Sequence, residues 1–263
     1  MSSSKPISFP EFPISQITMP TDDLFNAAYT YVQENCTKAT LNHCARSVAF
    51  ALILLRKLPP LTANPDIDRE AIMLSIMLHD LGWATTQSLT SNDKRFEVDG
   101  AEIARNFLRT ETAAADGVGP GEKWDKHRLQ LIWDAIALHT TPSVAQYKEP
   151  EVLATQTAIT ADFLGPNLPV PVPGGPIITV DEYKEILGVW PRLGFKEELR
   201  ATLCGLCRTK PQSTVDNFVG QFGAAYGTDG HGGGRAEFLK ILEDNNVVHL
   251  LEGGLTALEQ YEK

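Results

Sequence analysis

The chain predicts an all-α fold around one core, and three observations carry this. Apolar residues recur at three- and four-residue spacing in one segment after another, which is the pattern of amphipathic helices. Sustained period-two alternation and internal repeats are both missing. The chain is also long enough, at 263 residues of which 43% are hydrophobic, to bury a sizeable core.

In chain order, residues 1–20 are rich in Pro and Ser and read as an extended arm, with 21–263 as one helical domain. "PTDDLFNAAYTYVQENC" reads as a helix capped by Thr21 or Asp22, with acids in its first turn. A second helix runs from about Ala39 into "LRKLPP", where two prolines stop it. A third follows in "NPDIDREAIMLSIMLHDLG", with Gly82 as its C-terminal stop. "FEVDGAEIARNFLRTE" is the fourth. The Gly-rich "ADGVGPGEK" is a loop. "DKHRLQLIWDAIALHTTP" is the fifth helix, ended by Pro142, and "EPEVLATQTAITADFLGP" the sixth, ended by Gly165 and Pro166. Residues 165–180 form a Pro/Gly-rich loop with room for a short strand pair, and its prolines exclude a central strand. Shorter helices are expected over 181–188, 195–208, 211–224 and 235–244.

Net charge is -10, from 23 basic and 33 acidic residues, and no basic stripe is present. That excludes nonspecific nucleic-acid binding and disfavours anionic membranes. The first residues lack the apolar stretch of a secretory signal, and no apolar run reaches membrane-spanning length. Four cysteines in a chain this long do not make a disulfide scaffold. A soluble cytoplasmic protein with reduced thiols is expected.

"SIMLHDLGWA" carries the chemistry. His79 and Asp80 stand where the helical pattern calls for core, and burying them side by side is costly without compensation. Other helices repeat the theme. His43 shares a stripe with Ser47, Phe50 and Leu54, His139 with Ile132 and Ile136, and Asp162 with Thr155, Ala158 and Ile159. Any one of these alone reads as a hydrogen-bonded core residue. Brought together, three His and two Asp form a pocket that a divalent metal would neutralise, and the donors suit Zn, Fe, Mn, Co or Ni.

The order His43, His79-Asp80, Asp162 resembles the HD-domain superfamily of metal-dependent hydrolases. "LHDLGW", "RFEVDGAEIARNFL", "WDAIALHTTPSVAQ", "ADFLGP", "VWPRLGFKEEL" and "KPQSTVDNFV" resemble its cyanamide hydratase-like branch, over about residues 40–220. The resemblance implies a single-domain HD-type bundle holding one divalent metal, zinc foremost, on His43, His79, Asp80 and Asp162. It implies that Asp80 also accepts the proton of the metal's water. His139 and Glu97 match branch positions: His139 as proton donor, substrate contact or further ligand, and Glu97 to orient a ligand or handle protons. Glu97 reads equally as a helix-start acid. Trp83, Phe96 and Trp133 would line a tight pocket, or serve as ordinary core aromatics. The implied reaction adds water to cyanamide or a similar small nitrile, giving urea or an amide.

The alternative is HD-type hydrolysis of a nucleotide or small phosphate ester, for which Arg46, Lys94, Arg95 and Arg105 are the candidate cations. A di-iron oxygenase would need more His between His79-Asp80 and Asp162, and a binding scaffold would not need the ligand set intact. "CGLC" (Cys204, Cys207) lacks a second CxxC and reads as helix packing. "GTDGHGGGR" reads as a flexible loop with the option of a lid, and His127, His231 and His249 as surface residues. The arm and the C-terminal helices hint at a homo-oligomer.

Overall fold

The structure, a computed structural model, describes residues 7–116, 124–170 and 175–262. The start of the arm, most of the "ADGVGPGEK" loop and the centre of the 165–180 loop lie outside these. The chain divides into two compact units, Met1–Ser91 with Phe96–Phe195, and Asn92–Arg95 with Lys196–Lys263. The fold is all-α as expected, a helical bundle. No β-strand occurs among the described residues, which show only an isolated bridge between Phe12 and Ile17.

The first unit contains α1 (Asp23–Asn35), α2 (Lys38–Lys57), α3 (Arg69–Leu78), α4 (Phe96–Asp116), α5 (Lys126–Ala137), α6 (Pro150–Leu164) and α7 (Val180–Val189). Side-chain caps start most of them: Asp22 accepts from Phe25 N, Thr37 from Thr40 N, Asp68 from Ala71 N and Asp125 from Arg128 N. Thr179 and Glu182 close a capping box on α7. Helix α2 is the spine of the core. It packs on α3 and α6, and Leu41, Val48, Phe50, Ile53 and Leu54 are all buried there. Residues 7–20 pack against the bundle, with Phe12 stacked on Trp190 at 5.6 Å.

Three local expectations are corrected. The third helix does not carry on to Gly82. It ends at Leu78, and His79–Trp83 winds as a 3-10 turn. Gly82 is there for space: a Cβ would lie 1.7 Å from Phe96 O, and one on Gly100 of α4 would lie 2.6 Å from His79 O. Two glycines thus let the turn and the start of α4 press backbone to backbone. The fifth helix stops at Ala137, so His139 stands in the turn beyond it, and Pro142 opens a short helical turn instead of closing α5. The expected 211–224 helix is a 3-10 turn over Pro211–Ser213 followed by a separate helix at Phe218.

The second unit carries all but the first residue of α8 (Phe195–Thr209), then α9 (Phe218–Tyr226), α10 (Arg235–Asp244) and α11 (Val247–Leu258). Cys204 and Cys207 are buried free thiols facing Phe222 O and Val219 O, which agrees with a packing role. The Gly-rich loop is a hydrogen-bonded turn, in which Asp229 Oδ1 accepts from the backbone N–H groups of His231 and Gly233. Helix α11 was not expected from the sequence. No helix among the described residues is long and apolar enough to cross a membrane.

Candidate metal centre

Three elements of the first unit deliver the central cluster. His43 comes from the second turn of α2, and His79 and Asp80 from the 3-10 turn after α3. All three are buried, and their ligand atoms lie within 4.8 Å of one another. Asp80 Oδ2 is 3.1 Å from His79 Nε2 and 3.6 Å from His43 Nε2.

Hydrogen bonds on the far side of each ring assign the protons. His79 Nδ1 lies 2.7 Å from Ile76 O, and His139 Nδ1 lies 2.6 Å from Ile136 O. A carbonyl oxygen only accepts, so Nδ1 carries a proton in each ring, and a neutral ring then offers its lone pair at Nε2. His43 Nδ1 donates in the same way to Asp162 Oδ2, at 2.6 Å. Burial lowers the pKa of His43, against the opposing pull of Asp162 and Asp80, and this favours the neutral ring. The histidine lone pairs therefore face a carboxylate oxygen that has no hydrogen-bond partner. Electron-rich atoms this close need a cation among them. The donor set fits a divalent metal, and several ions satisfy it.

Asp162, on the last turns of α6, stands behind His43. Besides the His43 bond, its oxygens accept from Arg46 Nε at 2.7 Å and Arg46 Nη2 at 2.8 Å. Arg192 Nη2 donates to its backbone carbonyl. Burial alone would raise its pKa, but the His43 and Arg46 hydrogen bonds outweigh that and hold the group well below the usual carboxylate range. Of the four ligands expected from the sequence, His43, His79 and Asp80 lie in the cluster, and Asp162 is hydrogen-bonded to His43.

His139 meets His79 edge to face at 4.8 Å and Phe96 at 5.7 Å. Burial and the neighbouring His79 lower its pKa to about 4. Glu97 is buried on the first turn of α4, and its Oε1 accepts from Thr140 Oγ1 at 2.6 Å, which ties it to the turn carrying His139. Trp83 stacks on Phe96 at 5.3 Å. Trp133 points elsewhere: its Nε1 donates to Glu102, and Arg105 lies over its ring.

Sequence reasoning missed several neighbours. Phe195 stacks on His43 at 4.5 Å, and Phe163 meets the same ring at 5.2 Å. Cys44 Sγ is 3.9 Å from His79 Nδ1. Arg46, considered for phosphate, is spent on Asp162 and on Trp190 O. The signal for part of this was present in "VWPRLGF", since Trp190, Arg192 and Phe195 all converge on His43, Arg46 or Asp162.

A His-His-Asp cluster buried in a helical bundle is suited to a divalent metal ion. Residues 40–164 match the HD domain family, and that stretch contains His43, His79, Asp80 and Asp162. No curated protein matches the chain. His43, His79 and Asp80 thus form an HD-type metal-binding motif, consistent with the HD phosphohydrolase superfamily and with metal-dependent hydrolysis. The match is to the domain as a whole and singles out no branch.

Proposed function

We propose that the protein is a metal-dependent hydrolase that acts on a small phosphate ester or nucleotide. The carrying observation is the partnerless Asp80 Oδ2 between two imidazole lone pairs, within a region that matches the HD domain. His43, His79 and Asp80 would hold a divalent ion, with zinc the first to test, and such an ion would make a water nucleophilic near neutral pH. The protein's part is positional. Asp162 and Arg46 fix the His43 tautomer. The Ile76 and Ile136 carbonyls fix those of His79 and His139. His139, neutral at pH 7, presents a lone pair for a proton or a ligand bond. Glu97 steadies the His139 turn through Thr140, and Trp83 with Phe96 walls the side next to His139.

A second reading, hydration of cyanamide or a related small nitrile, is favoured by a different observation. Arg46 and Arg192, the guanidinium groups beside the site, are committed to Asp162, Trp190 O and Tyr183. A neutral substrate makes no demand on them, and the burial of the cluster suits a small one. Metal analysis coupled to a substrate panel separates the readings. Phosphate release from nucleotides or monoesters, dependent on one ion per chain, supports the first. Urea from cyanamide with inert phosphate esters replaces it by the second. A protein that takes up no metal sinks both.

A further inference from the structure

Helix α11 buries none of its residues, yet it is among the most apolar helices of the chain. Val247, Val248, Leu250, Leu251, Leu255 and Leu258 are each at least half exposed, and so is Tyr261 just beyond the helix. Together they offer on the order of 800 Å², the area one partner contributes to a standard-size stable interface. Single exposed leucines are ordinary, but a contiguous apolar face of this size on one short helix is not.

The pattern of the face selects its occupant. Val247, Leu251, Gly254 and Leu258 recur at alternating four- and three-residue steps, the seam of a helix pair. Gly254 is the seam position without a side chain, where a second helix can come closest. A two-fold axis through Gly254 lets two copies cross there. The same axis sets Leu250 against Leu258. It also lays Leu255 into the space left by Gly253. Among the described residues nothing approaches within 4 Å of a Cβ placed on Gly253 or Gly254. Two mid-helix glycines cost about 1 kcal/mol each relative to alanine, and no contact among the described residues calls for them. Close approach of another helix backbone is what glycine permits at such a position.

We propose that α11 is an isologous homodimer interface, in which two copies pair antiparallel with Gly254 at the crossing point. The test uses the full chain. Sedimentation equilibrium should give the mass of two chains for the wild type and half that for the Leu251→Glu/Leu258→Glu variant, with metal uptake unchanged in both. Gly254→Leu, which raises helix propensity while blocking close approach, should also halve the mass. In a Cys36→Ser background, Gly254→Cys should form a disulfide-linked dimer under mild oxidation, because the antiparallel pair brings residue 254 onto itself. Val247→Cys in the same background should stay unlinked. A monomeric wild type overturns the proposal, as does a dimer that survives both the charged and the Gly254→Leu variants. Efficient cross-linking of Val247→Cys but not Gly254→Cys overturns the antiparallel pairing. Monomers that bind neutral phospholipid vesicles through α11 would make the face a membrane contact and also refute it.

Discussion

Asp80 and Asp162 are two buried carboxylates that meet the same imidazole from opposite nitrogens, and their surroundings differ in kind. Asp162 has its charge answered by protein: His43 and Arg46 occupy its oxygens, and Arg192 holds its carbonyl. Asp80 has one oxygen without a hydrogen-bond partner, close to two ring nitrogens. One carboxylate belongs to a finished ion-pair network. The other belongs to a cluster that could hold a cation. Burial is the same for both, so it is their partners that distinguish them.

That contrast can be tested by substitution. Asp80→Asn should abolish stoichiometric metal uptake, measured by elemental analysis. Asp162→Asn should weaken metal affinity only about 10–100-fold, the range for residues behind the ligands. Equal loss in both variants would make Asp162 a direct ligand. Next in size, Arg46→Met leaves Asp162 buried without its main cation and should cost about 3–5 kcal/mol in urea unfolding. The Arg46→Met/Asp162→Asn double variant should recover part of that cost. Additive losses would show that the pair is not coupled.

Smaller again is the effect of crowding the 3-10 turn. Gly100→Ala should cost about 1–3 kcal/mol, because its Cβ meets the His79 carbonyl. It should also reduce metal affinity, as His79 and Asp80 are displaced together. Unchanged affinity would mean the turn adjusts without moving its ligands. The smallest effect lies away from the site, at Glu182. Burial opposes its ionisation, but Lys57 and Thr179 hold its pKa below the ordinary glutamate value. A depressed carboxylate contributes stability above its unfolded pKa and loses it as pH falls through the folded one. Acid titration of stability should therefore be flatter below about pH 4.5 in Glu182→Gln.

Much of this was legible in the sequence. Helix α2 was, because caps, prolines and a long apolar face agree there. The His43, His79 and Asp80 cluster was, because polar residues on apolar stripes are costly enough to stand out. The 3-10 turn was not, since the three-four spacing of Ile72, Ile76 and Asp80 runs smoothly past Leu78, and only the packing of Gly82 on Phe96 O reveals the break. The bonds of Asp162 to Arg46 were not legible, because its position on a stripe says which way it faces but not which cation meets it. Helix α11 was passed over because Gly253-Gly254 weighs against a helix and no partner among the described residues explains its apolar residues.

His79 and His139 share a device: each ring is braced by the carbonyl three residues earlier, Ile76 O or Ile136 O. Neither brace can be deleted by exchanging a side chain. The aim of these two imidazoles is inherited from the path of the main chain, so substitutions that reshape the walls around them leave it intact. A pocket built this way can change what it admits, one residue at a time, without dismantling the centre that does the chemistry.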